Sequence, residues 1–389
     1  MKEWKEYNIG EICDTISDTY KGNASNVVLI NTSDVLEGKC LNHTFVPNKD
    51  LRGQFKKQLK KNDILYSEIR PANKRYAFID FEPTDYIAST KLMVIRSNDK
   101  VLPKFLYYIL QSKEMIENLQ FLAESRSGTF PQITFSELAI QTILLPEVKE
   151  QNIIVNFLEA LDSKIELNRR INDNLEQQAQ ALFKAWFVDF EPWQGVMPDD
   201  WREGSIYEIV DVIYGAPYKS NLFNEKKEGL PLIRIRDLKD YSPQYYTPEI
   251  LPNTEFVCMG DVIAGMDAEF IPTLWMGNKG VLNQRCCKFK SKNPKFSNYY
   301  IMYLLKPELE FVQSYKTGTT VSHLGKSDID RFIVVIPSSD VIEDFSRKVE
   351  PLLSEKIKIC KEMRILSSLR DTLLPKLMSG ELKINDLNR

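Results

Sequence analysis

Two kinds of hydrophobic pattern alternate along this chain, and each of them occurs twice. Residues 1–146 and 191–338 contain short runs of β-branched and aromatic residues separated by turn residues, such as Asn62-Asp63 and Gly260-Asp261. Runs of this kind predict strands. Each stretch also contains a helical pattern, PKFLYYILQSKEMIENL in the first and SNYYIMYLLKPELEFVQ in the second. Each stretch therefore predicts an α+β globule.

Residues 147–190 and 339–389 follow a different pattern, in which apolar residues recur about every 3.5 positions. Heptads sustained this long favour coiled-coil helices, each about 50–60 Å long at about 1.5 Å per residue. The globule between the helices lets the second run antiparallel to the first within one chain. Pro351 is expected to kink the second helix or to mark its start. The predicted seam consists of Leu158, Leu161, Ile165, Asn168, Asn172, Leu175, Leu352, Ile359, Met363 and Leu366.

Asn168 and Asn172 lie in the middle of the seam of the first helix. Buried asparagines at such positions fix the register of a helix pair at a cost in stability. The alternative is that both side chains simply face water.

One sequence segment, which we call the Gly-Thr phrase, occurs at corresponding places in the two globules. Residues 126–146 read RSGTFPQITFSELAIQTILLP, and residues 316–337 read KTGTTVSHLGKSDIDRFIVVIP. Both begin with a base, a hydroxyl residue, Gly and Thr, and both end in an apolar run followed by Pro. Self-similarity over so long a period indicates a structural repeat. The predicted fold class is α+β, with two α+β globules alternating with two long helices that form an intramolecular antiparallel coiled coil of pseudo-two-fold symmetry.

Composition and charge narrow the function further. The chain has 389 residues, 43% of them hydrophobic, and a net charge of -3, which is typical of soluble globular proteins. No apolar run approaches the roughly 18 residues that span a bilayer, and the N-terminal residues lack the apolar core of a signal peptide. The six cysteines form no CxxC pair. We therefore expect free thiols and a cytoplasmic location.

Two stretches are strongly basic. Residues 52–75 contain eight Lys or Arg against two acids, and residues 279–295 contain six bases and no acid. Either stretch alone is typical of a solvated surface. Their occurrence in both halves of an acidic chain favours a polyanionic partner such as DNA.

Catalytic motifs are not found in the sequence. The two histidines, His43 and His323, have no nucleophile motif around them, and neither a P-loop nor a GxGxxG fingerprint is present. The segment Asn293–Phe296 lacks the second Pro of a methyltransferase tetrapeptide. The interpretation of Asp199 and residues 225–227 as a nuclease site rests on a spacing that often occurs by chance. The sequence therefore predicts a binding and positioning protein with no catalytic residue and no metal ligand.

The order of these elements closely resembles that of the specificity (S) subunit of type I restriction–modification systems. The resemblance rests on SGTFPQITFSELAIQTILLPEVKEQNIIVNFLEALDSKIELN and TGTTVSHLGKSDIDRFIVVIPS, together with ALFKAWFVDFEP and LRDTLLPKLMSGEL. It covers essentially the whole chain, in order and in duplicate. It implies a target recognition domain at 1–146, a conserved helical region at 147–190, a second recognition domain at 191–338 and a second helical region at 339–389.

The resemblance also implies a function in DNA methylation and phage defence in a prokaryotic cytoplasm. Each recognition domain would read one half of a bipartite, asymmetric double-stranded DNA site, and the helices would set the spacer and dock two modification (M) subunits. The M subunits would bind S-adenosylmethionine and methylate adenine N6, and restriction (R) subunits would use ATP and Mg. No cofactor is expected on this chain. The alternatives are a solitary S-like interaction or decoy scaffold and a self-contained DNA-modifying enzyme.

Candidate DNA contacts follow from the chemistry of the target. Phosphates attract Lys, Arg, hydroxyls and backbone N–H groups, and bases are read by Arg, Asn, Gln and Lys at loop tips. Gly128 and Gly318 would let the backbone approach a phosphate, although each Gly-Thr loop is alternatively a structural turn. The candidates are Lys21, Asn31, Ser33, Arg70, Lys74, Arg75, Arg126, Ser127, Thr129, Gln132, Tyr218, Lys219, Arg234, Arg236, Arg285, Lys316, Thr317, Thr319 and Ser322.

The expected surface for docking the M subunits lies on the helices. Phe183, Trp186 and Phe187 are the expected anchors, because large aromatic side chains supply much of the contact area at interfaces. The alternative is that these rings pack onto the adjacent globule.

Overall fold

The structure is a computed structural model and describes residues 4–49, 51, 53–126, 129–316 and 322–383. The chain divides into two compact units. The first unit consists of the residues up to 165 together with those from 365 onward, and the second consists of residues 166–364. Within the described ranges, no helix is both long enough and apolar enough to cross a membrane.

The first unit is built mainly from short strands and three helices that precede the first long helix. The helices are α1 (Pro103–Leu110), α2 (Lys113–Arg126) and α3 (Phe135–Ala139). The strands are β1 (Lys5–Asn8), β2 (Cys13–Ile16), β3 (Asn26–Ile30), β4 (Val35–Leu36), β5 (Lys39–Cys40), β6 (Phe45–Pro47), β7 (Phe55–Gln58), β8 (Ile64–Ser67), β9 (Tyr76–Phe78), β10 (Tyr86–Ser89), β11 (Leu92–Ser97) and β12 (Thr142–Leu145).

The strands of the first unit form two four-stranded sheets, in the orders β6-β3-β10-β7 and β2-β11-β8-β9. Strands β3 and β10 run parallel, and the other neighbours in these sheets run antiparallel. A separate pair joins β1, at the start of the globule, to β12, near the end of the Gly-Thr phrase. Helix α1 contributes Phe105 and Tyr108 to the core.

The second unit repeats this arrangement between the two long helices α4 (Val148–Phe187) and α7 (Ser339–Met378). Its shorter helices are α5 (Asn298–Lys316) and α6 (Lys326–Ile329). Its strands are β13 (Arg202–Ser205), β14 (Val210–Tyr214), β15 (Leu230–Ile233), β16 (Tyr246–Thr247), β17 (Phe256–Val257), β18 (Val262–Gly265), β19 (Thr273–Leu274), β20 (Gly280–Leu282), β21 (Cys286–Ser291) and β22 (Ile333–Ile336).

The two units share one sheet topology. The orders β16-β15-β20-β17 and β14-β21-β18-β19 match the two large sheets of the first unit strand by strand, and β13 pairs with β22 as β1 pairs with β12. The one parallel pair recurs as well, since β15 runs parallel to β20. This repetition confirms the predicted α+β class and the duplication that the Gly-Thr phrase indicated.

The long helices pair antiparallel within each unit. In the second unit, Asn168 on α4 donates to Glu362 on α7 at 2.9 Å, and Asn172 donates to Cys360 Sγ at 3.2 Å. In the first unit, Asp162 on α4 pairs with Arg370 on α7 at 3.0 Å. Helix α7 runs through position 351, so the expectation that the proline there marks the helix start is wrong.

The predicted seam residues are all buried or half-buried. Both asparagines are buried and hydrogen-bonded to α7, and neither of them faces water. The buried seam residues are Leu158, Ile165, Asn168, Asn172 and Ile359. The half-buried ones are Leu161, Leu175, Leu352, Met363 and Leu366.

A tyrosine in each unit ties the globule to both long helices. In the first unit, the Tyr108 hydroxyl on α1 donates to Asp162 at 2.7 Å, and Asp162 is the partner of Arg370. In the second unit, the Tyr303 hydroxyl on α5 donates to Glu176 at 2.7 Å, and Glu176 is the partner of Lys356 on α7. Burial, and the carboxylate beside each ring, raise the pKa of both tyrosines, which keeps the hydroxyls protonated as donors.

Candidate nucleic-acid interface

An ion pair joins residues on either side of the Gly-Thr pair in the first unit. Arg126 is the last residue of α2, and its Nη1 lies 3.0 Å from the Glu137 carboxylate in α3. The backbone N–H of Thr134 donates to the same carboxylate at 2.6 Å, which caps α3. Burial alone would raise the pKa of Glu137, but the bonds from Thr134 and the Arg126 guanidinium hold that pKa below its ordinary value.

A base and an acid on either side of the Gly-Thr pair also form an ion pair in the second unit. Lys316 ends α5, and its Nζ lies 2.5 Å from Asp328 Oδ2 in α6. The backbone N–H of Gly325 donates to that carboxylate at 2.7 Å. Burial alone would raise the pKa of Asp328, but the Lys316 ammonium and the Gly325 N–H lower it. We call these two ion pairs, Arg126–Glu137 and Lys316–Asp328, the loop clamps.

In each unit, a residue shortly after the Gly-Thr pair forms a β-bridge with a residue shortly after a strand. After β8, Ile69 forms an isolated antiparallel bridge with Gln132, and after β18, Asp267 forms the same bridge with His323. The two bridges place Gln132 and His323 at matching positions of the two units. Both residues come a few positions after the Gly-Thr pair, so the chain returns to the sheet at the same point in each unit.

The residue after each bridge adopts the left-handed backbone conformation. Arg70 has a φ of 44° and Ala268 a φ of 62°. Their N–H groups donate to the carbonyls of Pro131 and Ser322 at 3.1 and 2.9 Å. A non-glycine residue in this conformation costs free energy, and such strain clusters at functional sites. Its occurrence at matching positions of both units favours a functional role for the strand ends and the loops beside them.

The predicted DNA contacts of the first unit are mostly at the surface. Gln132 is half-buried beside the loop. Ser127 and Gly128 lie outside the described residues. The exposed members of the set are Lys21, Ser33, Arg70, Lys74, Arg126 and Thr129, and the half-buried ones are Asn31, Arg75 and Gln132.

Some of these side chains are engaged within the first unit. Arg75 Nη1 donates to the carbonyls of Ser33 and Val35 at 3.1 and 3.3 Å, which fixes the turn after β3. Asn31 Oδ1 accepts from the N–H of Thr32 at 2.9 Å in the same turn. These contacts give Arg75 and Asn31 a role in shaping the surface.

In the second unit, the predicted contacts differ more in their exposure. Lys219, Arg236 and Arg285 are exposed, whereas Arg234, Lys316 and Ser322 are half-buried. Thr317, Gly318 and Thr319 lie outside the described residues.

Tyr218 and Arg234, two of the predicted contacts in the second unit, are engaged within that unit. Tyr218 is a buried residue whose hydroxyl lies 3.0 Å from Thr254 Oγ1, which argues against the DNA contact expected for it. The Arg234 guanidinium lies 4.4 Å from the centre of the Tyr245 ring and pairs with Asp237 at 3.5 Å.

A polar cluster beside the second loop includes two residues that the sequence analysis did not select. His323 Nδ1 lies 2.7 Å from Asp267 Oδ1, and Arg285 Nη1 lies 3.1 Å from Asp267 Oδ2. Asp267 and His323 are 56 residues apart in the chain, and neither stands in a recognisable motif. The bridge that Asp267, after β18, forms with His323 brings them together.

Parts of the two basic stretches point inward. Lys57 is half-buried and donates to the Leu92 carbonyl at 2.7 Å, and burial lowers its pKa. Lys288 pairs with Glu255 and Asp261 at 2.8 and 2.9 Å. Counting charge along the sequence therefore overstated the number of cations available to a polyanion.

The aromatic residues expected to anchor a partner subunit pack against the second unit's own core. The Phe183 and Phe187 rings lie 6.0 and 5.0 Å from the ring of Phe345 on α7, centroid to centroid. Trp186 lies 6.0 Å from the same ring and 5.8 Å from Trp193. All three remain half-buried, so only part of each ring is accessible at the surface.

Comparison with known proteins gives a consistent result over both repeats. The family model described as type I restriction modification DNA specificity domain matches residues 1–177 and 198–361. The chain is 31% identical over 467 aligned residues to the specificity subunit of the type I restriction enzyme HindI from Haemophilus influenzae, covering 98% of this chain and 100% of that protein. It is 29% identical to the MjaIX specificity subunit of Methanocaldococcus jannaschii, with 74% and 71% covered.

A solved structure agrees with the fold. The crystal structure of a type I restriction–modification S subunit from M. genitalium aligns with a TM-score of 0.54 and 19% identity, and the alignment covers 96% of each chain. This likeness indicates a shared architecture.

Proposed function

The chain belongs to the type I restriction–modification specificity subunits, non-catalytic subunits that recognise DNA, and we propose that each unit reads one half of a bipartite, asymmetric site. The observation that carries the proposal is the duplication of one framework, down to the loop clamps and the strained residue beside each loop. The exposed side chains on that framework differ between the units. Equal frameworks with unequal side chains suit a target whose two halves differ in sequence.

The long helices would set the spacer between the half-sites. Helix α4 belongs to the first unit up to residue 165 and to the second from 166, and α7 returns through both. The tyrosine–acid–base contacts fix each globule on these helices, Tyr108 through Asp162 and Tyr303 through Glu176. The number of helical residues between the globules would then determine the number of unread base pairs.

Two M subunits would dock on equivalent surfaces, one for each repeat. Phe121 on α2 is 71% exposed and Phe311 on α5 is 67% exposed. They stand 190 residues apart, as Arg126 and Lys316 do, so the two rings occupy the same place relative to each loop clamp. Two such sites suit two copies of one partner. Phe121 would belong to the docking surface of the first unit, and Phe311 to that of the second. The accessible edges of Phe183, Trp186 and Phe187 would add to the docking area of the second unit.

The remaining chemistry of the complex would belong to those partners. S-adenosylmethionine would bind to the M subunits, which methylate adenine N6, and ATP and Mg would bind to the R subunits. No cofactor is assigned to this chain. The assembly would act on double-stranded DNA in a prokaryotic cytoplasm.

Mapping of N6-methyladenine tests this function. The chain is co-expressed with the M subunit of its own system in a host that lacks adenine methylation, and the M subunit alone serves as control. The expected result is one motif with two specified halves, an unspecified spacer and one modified adenine in each half. A contiguous motif, or the same methylation by the M subunit alone, would contradict the proposal.

A further inference from the structure

The cluster formed by Asp267, Arg285 and His323 has the chemistry of a base-reading site. Its two outer members are well exposed, with 51% of the His323 side chain and 57% of the Arg285 side chain accessible. The Asp267 side chain is only 20% exposed and lies between them. The cluster thus presents two nitrogen-bearing side chains to solvent on one shared carboxylate.

The contacts with Asp267 determine which hydrogen-bonding groups of His323 and Arg285 remain available to a ligand. An ionised carboxylate only accepts hydrogen bonds, so His323 Nδ1 carries the proton that it donates to Asp267. His323 Nε2 is then left to accept a hydrogen bond when the ring is neutral and to donate one when it is charged. Arg285 uses Nη1 for Asp267 and keeps its other N–H groups for a second partner. Those groups match the guanine O6 and N7 acceptors in the major groove.

The first unit has different chemistry at the same positions. Gln132 matches His323, and Ile69 matches Asp267, through the bridge that both units share. A glutamine amide suits adenine N6 and N7, whereas an imidazole beside an arginine does not present that pattern. The loop clamps behind these positions keep one chemistry, a base with an acid, in both units. The two units therefore differ at the bridged positions, whereas the clamp keeps its chemistry.

We propose that His323 and Arg285 read base edges in the half-site bound by the second unit, and that Gln132 does so at the matching position of the first. Asp267 orients His323 and Arg285 and is therefore a positioning residue. This inference rests on the proposed function and identifies which side chains give the two half-sites their different sequences.

The test uses the assembled complex of full-length chain and M subunits, with duplexes built on the mapped motif. Affinity is measured at fixed salt for the cognate duplex and for duplexes with one base pair replaced at each specified position. His323→Ala is expected to lower discrimination about 5- to 100-fold at one or two positions of the second half-site only. Gln132→Ala should produce the corresponding loss in the first half-site only. Lys326→Ala, an exposed neighbour on α6, should leave every preference ratio unchanged.

Asp267 is tested by a conservative pair of variants. Asp267→Asn is expected to reduce discrimination at the positions that His323→Ala affects, and Asp267→Glu, which keeps the carboxylate, is expected to restore part of it. A role confined to folding would lower affinity for all duplexes alike and leave the ratios intact, and that outcome overturns the inference. Unchanged ratios in His323→Ala also overturn it. A wild-type complex without a bipartite preference refutes the proposed function instead.

Discussion

The Tyr303 hydroxyl donates to Glu176 Oε1 at 2.7 Å and so joins a helix of the second globule to α4. Tyr299, one turn earlier on the same helix, donates to Oε2 of the same carboxylate at 3.2 Å. With Lys356 from α7 as its ionic partner, Glu176 connects three helices of the second unit. A single carboxylate therefore holds the globule and the helix pair in one arrangement.

Neutralising this carboxylate should destabilise the second unit. Glu176→Gln leaves the mostly buried Lys356 ammonium without its counter-charge, and we expect the free energy of unfolding to fall by about 1–3 kcal/mol. Urea denaturation of the full chain measures the change. Asp344→Asn, which removes an exposed ion pair on α7, is the control and should change stability by less than about 0.5 kcal/mol. Equal effects of the two substitutions would contradict this role of Glu176.

Asn172 offers a prediction of the opposite sign. Among the described residues, its buried Oδ1 has no hydrogen-bond partner, and its amide nitrogen donates only to the sulfur atoms of Cys360 and Met363. Asn172→Leu should therefore raise the free energy of unfolding by about 1 kcal/mol, because it removes the desolvation penalty of an unsatisfied group. Denaturant unfolding compares it with Asn174→Leu at an exposed position of α4. A loss of stability in Asn172→Leu alone would show that the amide stabilises the pair.

The loop clamps should respond to acid. The folded-state pKa values of Glu137 and Asp328 are lowered, so their stabilisation is present above the ordinary carboxylate pKa and is lost as the pH falls through the lowered values. At neutral pH, Glu137→Gln should speed exchange of the Thr134 amide proton, and Asp328→Asn that of Gly325. Hydrogen exchange read by mass spectrometry measures both. Glu124→Gln on α2 is the control, and equal acceleration by it would refute the clamp.

Lengthening the helix pair should lengthen the DNA spacer. Seven residues inserted after position 165 and seven more after position 364 preserve the seam and add about 10 Å. At about 3.4 Å per base pair, the methylated motif should gain about three unread base pairs. Methylation mapping measures the spacer and both half-sites in one experiment. An altered half-site sequence, or an unchanged spacer, would contradict the proposed role of the helices.

Exchanging one globule should change one half-site. Replacing residues 20–140 by the corresponding part of another S subunit leaves β13–β22 and the second loop clamp intact. Mapping of N6-methyladenine should then show a new first half-site and the old second one, with the same spacer. A reciprocal exchange within 215–330 is the matched control and should alter only the second half-site.

Features encoded locally were the ones that could be predicted from the sequence. Turn residues, heptads and the recurrent Gly-Thr phrase depend on neighbours in the chain, and they led to the duplicated α+β class and to the buried Asn168 and Asn172. The Asp267–His323 contact could not be predicted in this way, since it depends on how a loop returns to a strand end. The inward orientation of Lys288 was missed because counting charges ignores which face of β21 a side chain occupies.

The matching of the two units also has an evolutionary consequence. A shared strand order, one parallel strand pair in the same place, paired loop clamps and a left-handed residue at the same turn are what a tandem gene duplication leaves behind. A chain with only one of the two repeats would leave the apolar face of its long helix uncovered, and a second copy of that chain could cover it. A single chain has no requirement for identical halves, so each unit can change its exposed side chains without the other.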